Sequence, residues 1–156
     1  MRKLSFYMLV FGMLAFTAGC DSDSGSDTPS DSDNFVGTWA VVGLSDASGD
    51  LSAGFAQGYN SVLITFGNDD SVSLAVDGVD PNPDQSYSGT ASVNEATSSI
   101  VATLSVGGSP TPLSFGYDFT SDTSMTLTAS STTGLLLGVL FGTSYADPVV
   151  FTLAKI

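Results

Sequence analysis

Residues 100–119 read IVATLSVGGSPTPLSFGYDF. Apolar residues occupy every second position on both sides of a Gly-Gly-Ser-Pro break, first from Ile100 to Val106 and then from Leu113 to Phe119. Alternation with a period of two places the apolar side chains on one face of a strand and the polar ones on the other. This stretch therefore predicts two antiparallel strands with one buried face, joined by a turn.

Short runs of the same kind occur throughout residues 37–154, separated by clusters of Gly, Asn, Asp and Pro that are typical of turns. Many short strands between turns are typical of an all-β sandwich or barrel. The predicted strands cover residues 37–44, 61–66, 72–76, 86–93, 100–106, 113–119, 125–129 and 149–154. We expect one all-β domain over residues 35–156, a single eight-stranded antiparallel up-and-down barrel, with a β-sandwich as the alternative.

The first predicted strand opens with NFVGTW at residues 34–39. This G-x-W sequence resembles the start of lipocalins and of the lipocalin-like domains of Bacteroidetes-type lipoproteins. The resemblance implies a cup-shaped barrel whose floor is closed by Gly37 and Trp39, with Lys155 of the last strand over the Trp39 ring. An immunoglobulin-like sandwich carries its core Trp on a middle strand, so the position of Trp39 favours the barrel.

The interior of such a barrel leaves two functions open. In a cup, the inward aromatic and aliphatic side chains are the expected contacts of a small apolar ligand: Phe66, Leu74, Leu104, Phe115, Tyr117 and Phe151. The same side chains are equally expected in a filled core, which would make the domain a structural or protein-interaction module. A cavity of roughly 300 Å³ or more would distinguish the ligand carrier from the filled barrel.

The amino-terminal residues have the anatomy of a secretory signal peptide, because Arg2 and Lys3 precede an apolar stretch that runs to Ala18. That stretch is shorter than the roughly twenty residues that span a bilayer. Residues 17–20, TAGC, resemble the lipobox of bacterial lipoproteins, although Thr17 stands where that family usually has Leu. We therefore expect residues 1–19 to be removed and Cys20 to carry a lipid that anchors the chain to a membrane.

Residues 20–34 predict an acidic, disordered tether, because residues 21–34 are rich in Ser and Asp and contain no apolar side chain. An acidic stretch after the lipid-bearing cysteine resembles the surface-export signal of Bacteroidetes-type lipoproteins. Asp21, however, resembles the inner-membrane retention signal of enterobacteria. The expected location is the cell envelope, with the outer membrane or cell surface favoured over the inner membrane.

The charge and composition of the chain argue against nucleic acid as a partner and against enzymatic activity. The formal net charge is −13, and after removal of the leader Lys155 is the only basic side chain, so nucleic acid is not an expected partner. There is no histidine, and Cys20 is the only cysteine. Ser and Thr nucleophiles need a base, and the carboxylates (Asp118, Asp122, Asp147 and those of residues 77–84) match no catalytic motif. We therefore expect no enzymatic activity and no cofactor.

One loop contains a weak candidate for calcium binding. Asp80, Asn82 and Asp84 copy the first three ligand positions of an EF-hand loop. Gln85 stands where that loop requires Gly, and Ala91 stands where it requires the bidentate Glu. An ordinary turn is the favoured interpretation, and no metal site is expected.

Two longer segments depart from a minimal meander. Residues 45–60 form a loop after the first strand, in the place of the loop that partly covers the cup of lipocalins. Residues 135–141, LLLGVLF, are too apolar for an ordinary surface loop. They could close the barrel mouth, extend the seventh or eighth strand, line a ligand entrance, or contact the membrane or a partner.

Overall fold

The structure, a computed structural model, describes residues 30–156. Cys20 and the tether as far as residue 29 lie outside the described residues. Nine strands make up one sheet: β1 (Gly37–Asp46), β2 (Gly49–Asp50), β3 (Tyr59–Phe66), β4 (Ser71–Gly78), β5 (Gln85–Asn94), β6 (Ser99–Val106), β7 (Ser109–Ser121), β8 (Ser124–Ala129) and β9 (Val149–Lys155).

Strand pairing closes this sheet into a barrel. The order is β2-β1-β3-β4-β5-β6-β7-β8-β9, and β1 also pairs with β9 through contacts from Trp39–Lys155 to Ser45–Val150. Every pairing is antiparallel, and the two-residue β2 extends one edge of β1 only. The fold is therefore a closed eight-stranded up-and-down barrel, the architecture of lipocalins. The eight predicted strands are confirmed, and the sandwich alternative is wrong.

Alternation along the strands builds the core. In β6, Ile100 and Leu104 are buried whereas Val101 and Ser105 face outward. β1 breaks this rule, because a register shift between Val41 and Gly43 inserts one residue into its pairing with β9. This bulge turns Val42 out to 60% exposure and returns the following residues to the inward face at Leu44.

Three α-helices lie at the two ends of the barrel: α1 (Asp31–Phe35), α2 (Ser52–Gly58) and α3 (Ser131–Phe141). α1 precedes β1 at the end that is termed the floor, whereas α2 and α3 lie at the opposite end, the mouth. No helix within residues 30–156 is long and apolar enough to cross a membrane. Residues 31–34, which the sequence placed in the tether, belong to α1 and are helical.

The apolar run 135–141 forms most of α3, so of the alternatives that the sequence left open, the extension of a strand is wrong. Ser130 caps the helix by accepting a hydrogen bond from the Thr133 amide. Gly142 ends it in the left-handed conformation at φ 65°, a position that favours glycine. Both boundary signals are local, and the four leucines between them are good helix formers.

Candidate ligand-binding site

The floor is closed around Trp39, which is fully buried in β1. Its indole Nε1 donates a 2.7 Å hydrogen bond to the carbonyl of Phe35, and Lys155 Nζ lies 5.2 Å from the ring centroid. Lys155 Nζ also donates to the carbonyl of Asn34 at 3.1 Å. Gly37 has a φ of +128°, and a Cβ there would lie 2.8 Å from Lys155 Cε. The structure thus brings the three predicted floor residues together, and the positive φ of Gly37 favours a glycine at this position.

α1 packs beneath the barrel through Phe35, which is 2% exposed. The Phe35 ring contacts Phe66, Tyr117 and Phe119 edge-on, with centroid distances of 4.9 to 5.1 Å. Tyr117 Oη donates a 2.7 Å hydrogen bond to Asp31 of α1. Tyr117 therefore fastens α1 to the floor and does not line the interior cavity, contrary to its predicted role as a ligand contact.

The other five predicted ligand contacts face one small space in the barrel interior. Phe66, Leu74, Leu104, Phe115 and Phe151 all line a cavity of about 50 Å³ whose other walls are also apolar. This volume is far below the roughly 300 Å³ of a typical ligand pocket. In the described conformation these side chains form a packed core, so a ligand of ordinary size does not fit there.

α3 closes the mouth above this cavity. Leu137 and Phe141 line its upper end, and Leu137 is 4% exposed. The helix is fixed to β7 at its start, because Thr133 Oγ1 accepts a 2.8 Å hydrogen bond from the Ser114 amide. Thr133 is itself 2% exposed. The buried hydroxyl thus supplies a partner for a strand amide at the point where β8 has ended.

A larger space, termed the mouth cleft, lies beside α3 on the outside of the mouth. It has a volume of about 510 Å³, within the usual range of ligand pockets. Its walls come from the end of β1, from α2 and β3, and from the segment after α3; the principal side chains are Leu44, Leu51, Phe55, Tyr59, Phe141 and Tyr145, with Asp50 and Asn82 as polar groups. Phe141 belongs to both spaces, so this one side chain separates the mouth cleft from the barrel interior.

Aromatic contacts make one wall of the cleft continuous. Phe55 of α2 packs on Tyr59 and Phe141 with centroid distances of 4.9 and 5.6 Å, and Tyr59 lies 5.3 Å from Phe141. Tyr59 Oη donates to the Phe141 carbonyl at 3.0 Å. The rings therefore hold α2 against the end of α3, and any widening of the mouth must separate them.

Tyr145 lies in the wall of the mouth cleft beside these rings, and Asp46 lies next to it. Burial raises the pKa of Tyr145 to about 12, and the neighbouring Tyr59 and the Asp46 carboxylate add to the shift. Asp46 accepts a 2.7 Å hydrogen bond from the Ala146 amide, and this bond with one from Ser48 lowers its pKa below the ordinary value. Asp46 is thus held as a carboxylate next to the cleft wall, whereas Tyr145 is neutral.

The outer face of α3 carries a second opening, of about 470 Å³, that is lined in part by Leu135 and Val139. These two side chains are 74% and 81% exposed. They lie one turn apart, so they form a short apolar stripe on the surface. The predicted burial of the run 135–141 is therefore only partial.

In the loop of residues 80–84, the weak calcium candidate, two polar side chains form hydrogen bonds to the backbone of neighbouring segments. Asn82 donates from its side chain to the Gly58 carbonyl at 3.0 Å, and the Asp84 carboxylate accepts from the Gly78 amide at 3.0 Å. Within residues 30–156, no three His, Cys, Asp or Glu side chains are grouped so as to hold a metal ion. The loop packs against α2 and completes one edge of the mouth cleft.

No protein-family model matches this chain, and no curated protein matches it. Among solved structures, the chain is similar to the siderocalin Ex-FABP, whose structure is described as showing function through dual ligand specificities. The sequences are 12% identical, the similarity covers 79% of this chain and 74% of the siderocalin, and the TM-score is 0.32. A similarity at this level transfers no ligand and no site residue. The fold assignment rests on the strand pairing described above.

The sequence pattern did not indicate a binding site at the mouth cleft. Phe55, Tyr59 and Tyr145 lie in segments that the sequence showed only as irregular loops with scattered aromatic residues. Phe55 lies in α2 whereas Tyr59 begins β3, so no single periodicity in the sequence places the two rings together. Their meeting with Phe141 depends on the position of α3, which local sequence does not encode.

Proposed function

We propose that the protein is a membrane-tethered lipoprotein of the cell envelope whose barrel binds a small hydrophobic ligand at its mouth. The observation that carries this proposal is the mouth cleft of about 510 Å³ with its aromatic and aliphatic walls. The binding site moves from the barrel interior, where the sequence placed it, to the cleft beside Phe141. Binding rather than catalysis is proposed, because the chain has no histidine and its one cysteine is the lipidation candidate.

The interior cavity takes a secondary role in this proposal. A 50 Å³ apolar space stays dry, and it can grow only if Leu137 and Phe141 move outward together with α3. A ligand in the cleft contacts Phe141 first. Phe66, Leu74, Leu104, Phe115 and Phe151 would then contact a ligand only after α3 has moved.

The test is titration of the purified chain with a neutral apolar fluorophore such as N-phenyl-1-naphthylamine. We expect saturable binding that Phe55→Ala weakens several-fold, because this ring forms part of the cleft wall. Leu135→Ala is the matched control, since that side chain lies outside the cleft on the outer face of α3. Absence of saturable binding, or equal losses in both variants, would reject the cleft as the ligand site.

A second function is favoured by the exposed stripe of Leu135 and Val139. On this proposal the filled barrel is a structural or protein-interaction module, and the stripe contacts a partner. Replacement of both residues by Asp then abolishes self-association or partner capture while the barrel stays folded. Chemical cross-linking and analytical ultracentrifugation measure this outcome independently of the fluorophore titration.

A further inference from the structure

Within residues 30–156 both ends of the barrel are acidic, and they differ in that the floor alone carries a cation. Six carboxylates lie at the mouth end of the barrel: Asp46, Asp50, Asp77, Asp80, Asp84 and Asp147. The only basic side chain within residues 30–156 is Lys155, which lies at the floor over Trp39. The mouth therefore has a negative potential that no neighbouring lysine, arginine or histidine neutralises.

The polar groups of the mouth cleft have the same sign. Asp50 lines the cleft directly, on the hairpin that pairs β1 with β2. Asp46 lies across that hairpin and bonds to the Ala146 amide, next to Tyr145 of the cleft wall. The two carboxylates thus flank an aromatic surface at the open edge of the cleft, where a charged group of a ligand remains in contact with water.

Aromatic faces next to carboxylates favour cations over anions. The faces of Phe and Tyr rings attract ammonium groups, and this attraction adds to the Coulomb attraction of the carboxylates. A carboxylate or phosphate ligand would instead approach Asp50 with like charge and without a basic partner. A neutral ligand gains the apolar contacts alone.

We propose that the mouth cleft selects organic cations, an alkyl- or arylammonium group lying beside Asp50 and Asp46 with its apolar body against Phe55, Phe141 and Tyr145. This inference rests on the proposed function, because it specifies the ligand class of the same cleft. It separates two contributions to affinity: the apolar walls bind any ligand of suitable size, and the carboxylates select by charge.

The test compares three probes with similar phenyl bodies, benzyltrimethylammonium, benzyl alcohol and phenylacetate, by NMR titration of the full-length chain. We expect the cation to bind about tenfold more tightly than the alcohol and the anion to bind most weakly. Added salt should reduce the advantage of the cation, because surface charges are screened. The resonances that shift should belong to Phe55, Phe141 and Tyr145.

Asp50→Asn is the decisive variant, because its amide oxygen still accepts the hydrogen bond that Asp50 receives from the Ser52 amide at 2.9 Å. It should lower the affinity for the cation several-fold and leave that for benzyl alcohol unchanged. Asp122→Asn, at the floor turn between β7 and β8, is the matched loss of charge and should change neither affinity. Equal affinities for cation and alcohol would overturn the charge selection while the proposed function stands. If none of the probes shifts the cleft resonances, both proposals fail.

Discussion

At the scale of single residues, Lys155 joins the floor of the barrel to its last strand. Its ammonium group lies over the buried Trp39 ring and donates to the Asn34 carbonyl. Lys155→Met keeps the apolar stem but removes both interactions, so we expect a loss of about 1–2 kcal/mol in the free energy of unfolding. Urea unfolding followed by Trp39 fluorescence measures this directly, because Trp39 is the only tryptophan.

Lys155→Arg is the control for charge, since it keeps a cation over the ring. We expect it to recover part of the stability that Lys155→Met loses. A Met variant as stable as the original chain would show that the contacts of Lys155 with Trp39 and Asn34 add nothing to stability.

The raised pKa values of two tyrosines determine how the stability of the fold should change at high pH. Burial raises the pKa of Tyr145 to about 12 and, with the Asp31 hydrogen bond, raises that of Tyr117 further, from an ordinary value of 10.0. Because the folded state favours their neutral forms, this contribution to stability is complete below pH 10 and is lost as pH rises through the folded pKa values. We expect phenolate absorbance from these residues to appear together with unfolding, well above pH 10.

The control is the same titration in concentrated urea, where every tyrosine should ionise near its ordinary pKa. Tyr145→Phe and Tyr117→Phe identify the late-ionising groups. Complete phenolate formation near pH 10 in a chain that remains folded would contradict the burial of both hydroxyls.

At the scale of elements, the strands could be predicted from sequence, but the helices that close the two ends of the barrel could not. In residues 100–106 and 113–119 the alternation of apolar and polar side chains is enough to identify which side chains face inward. The bulge at Val42 and the pairing of α2 with α3 depend on contacts between distant segments. The same limit explains the two outcomes for predicted site residues: Phe115 was placed correctly on the inward face, whereas the role of Tyr117 required the position of α1.

The start of α3 offers a test of how the mouth is held closed. Thr133→Val removes the oxygen that accepts from the Ser114 amide while keeping the side-chain volume. Leaving a buried amide without a partner costs about 1–3 kcal/mol, so the variant should be destabilised by that amount. Thr132→Val, on the exposed neighbouring position, should change stability little. Thermal unfolding and hydrogen exchange at Ser114 check the prediction, and equal effects of the two substitutions would refute it.

The two faces of α3 should respond differently to charge. Leu136 and Leu140 pack against the core, so Leu136→Asp or Leu140→Asp should unfold the mouth or the whole domain, with losses above about 3 kcal/mol. Leu135→Asp and Val139→Asp are the matched controls on the exposed face, and they should keep the fold. Circular dichroism and urea unfolding separate the outcomes. If Leu136→Asp and Leu140→Asp left stability unchanged, α3 would not be part of the core.

At the scale of the whole molecule, the chain enters the barrel at the floor and presents its cleft at the opposite end. From Cys20 to Ser30 the fully extended chain spans at most about 35 Å. The ten-residue strand β1 alone is about 33 Å long, so the tether would have to run along almost the entire barrel for the mouth to reach the anchoring bilayer. We therefore expect a lipid on Cys20 to hold the floor near the membrane and leave the mouth cleft facing away from it.

The proposed lipid on Cys20 can be tested by substitution. Cys20→Ser removes the thiol that lipid transfer requires, so the chain should move from the membrane fraction to the soluble fraction and lose incorporation of labelled palmitate. Ser22→Ala, two residues further on, is the control and should stay with the membrane. Barrel stability and ligand affinity should be the same for both variants, because the strands of the barrel lie within residues 37–155. Continued membrane association of Cys20→Ser without labelled palmitate would show that another part of the chain holds the protein there, and an uncleaved apolar stretch up to Ala18 would be the first segment to test.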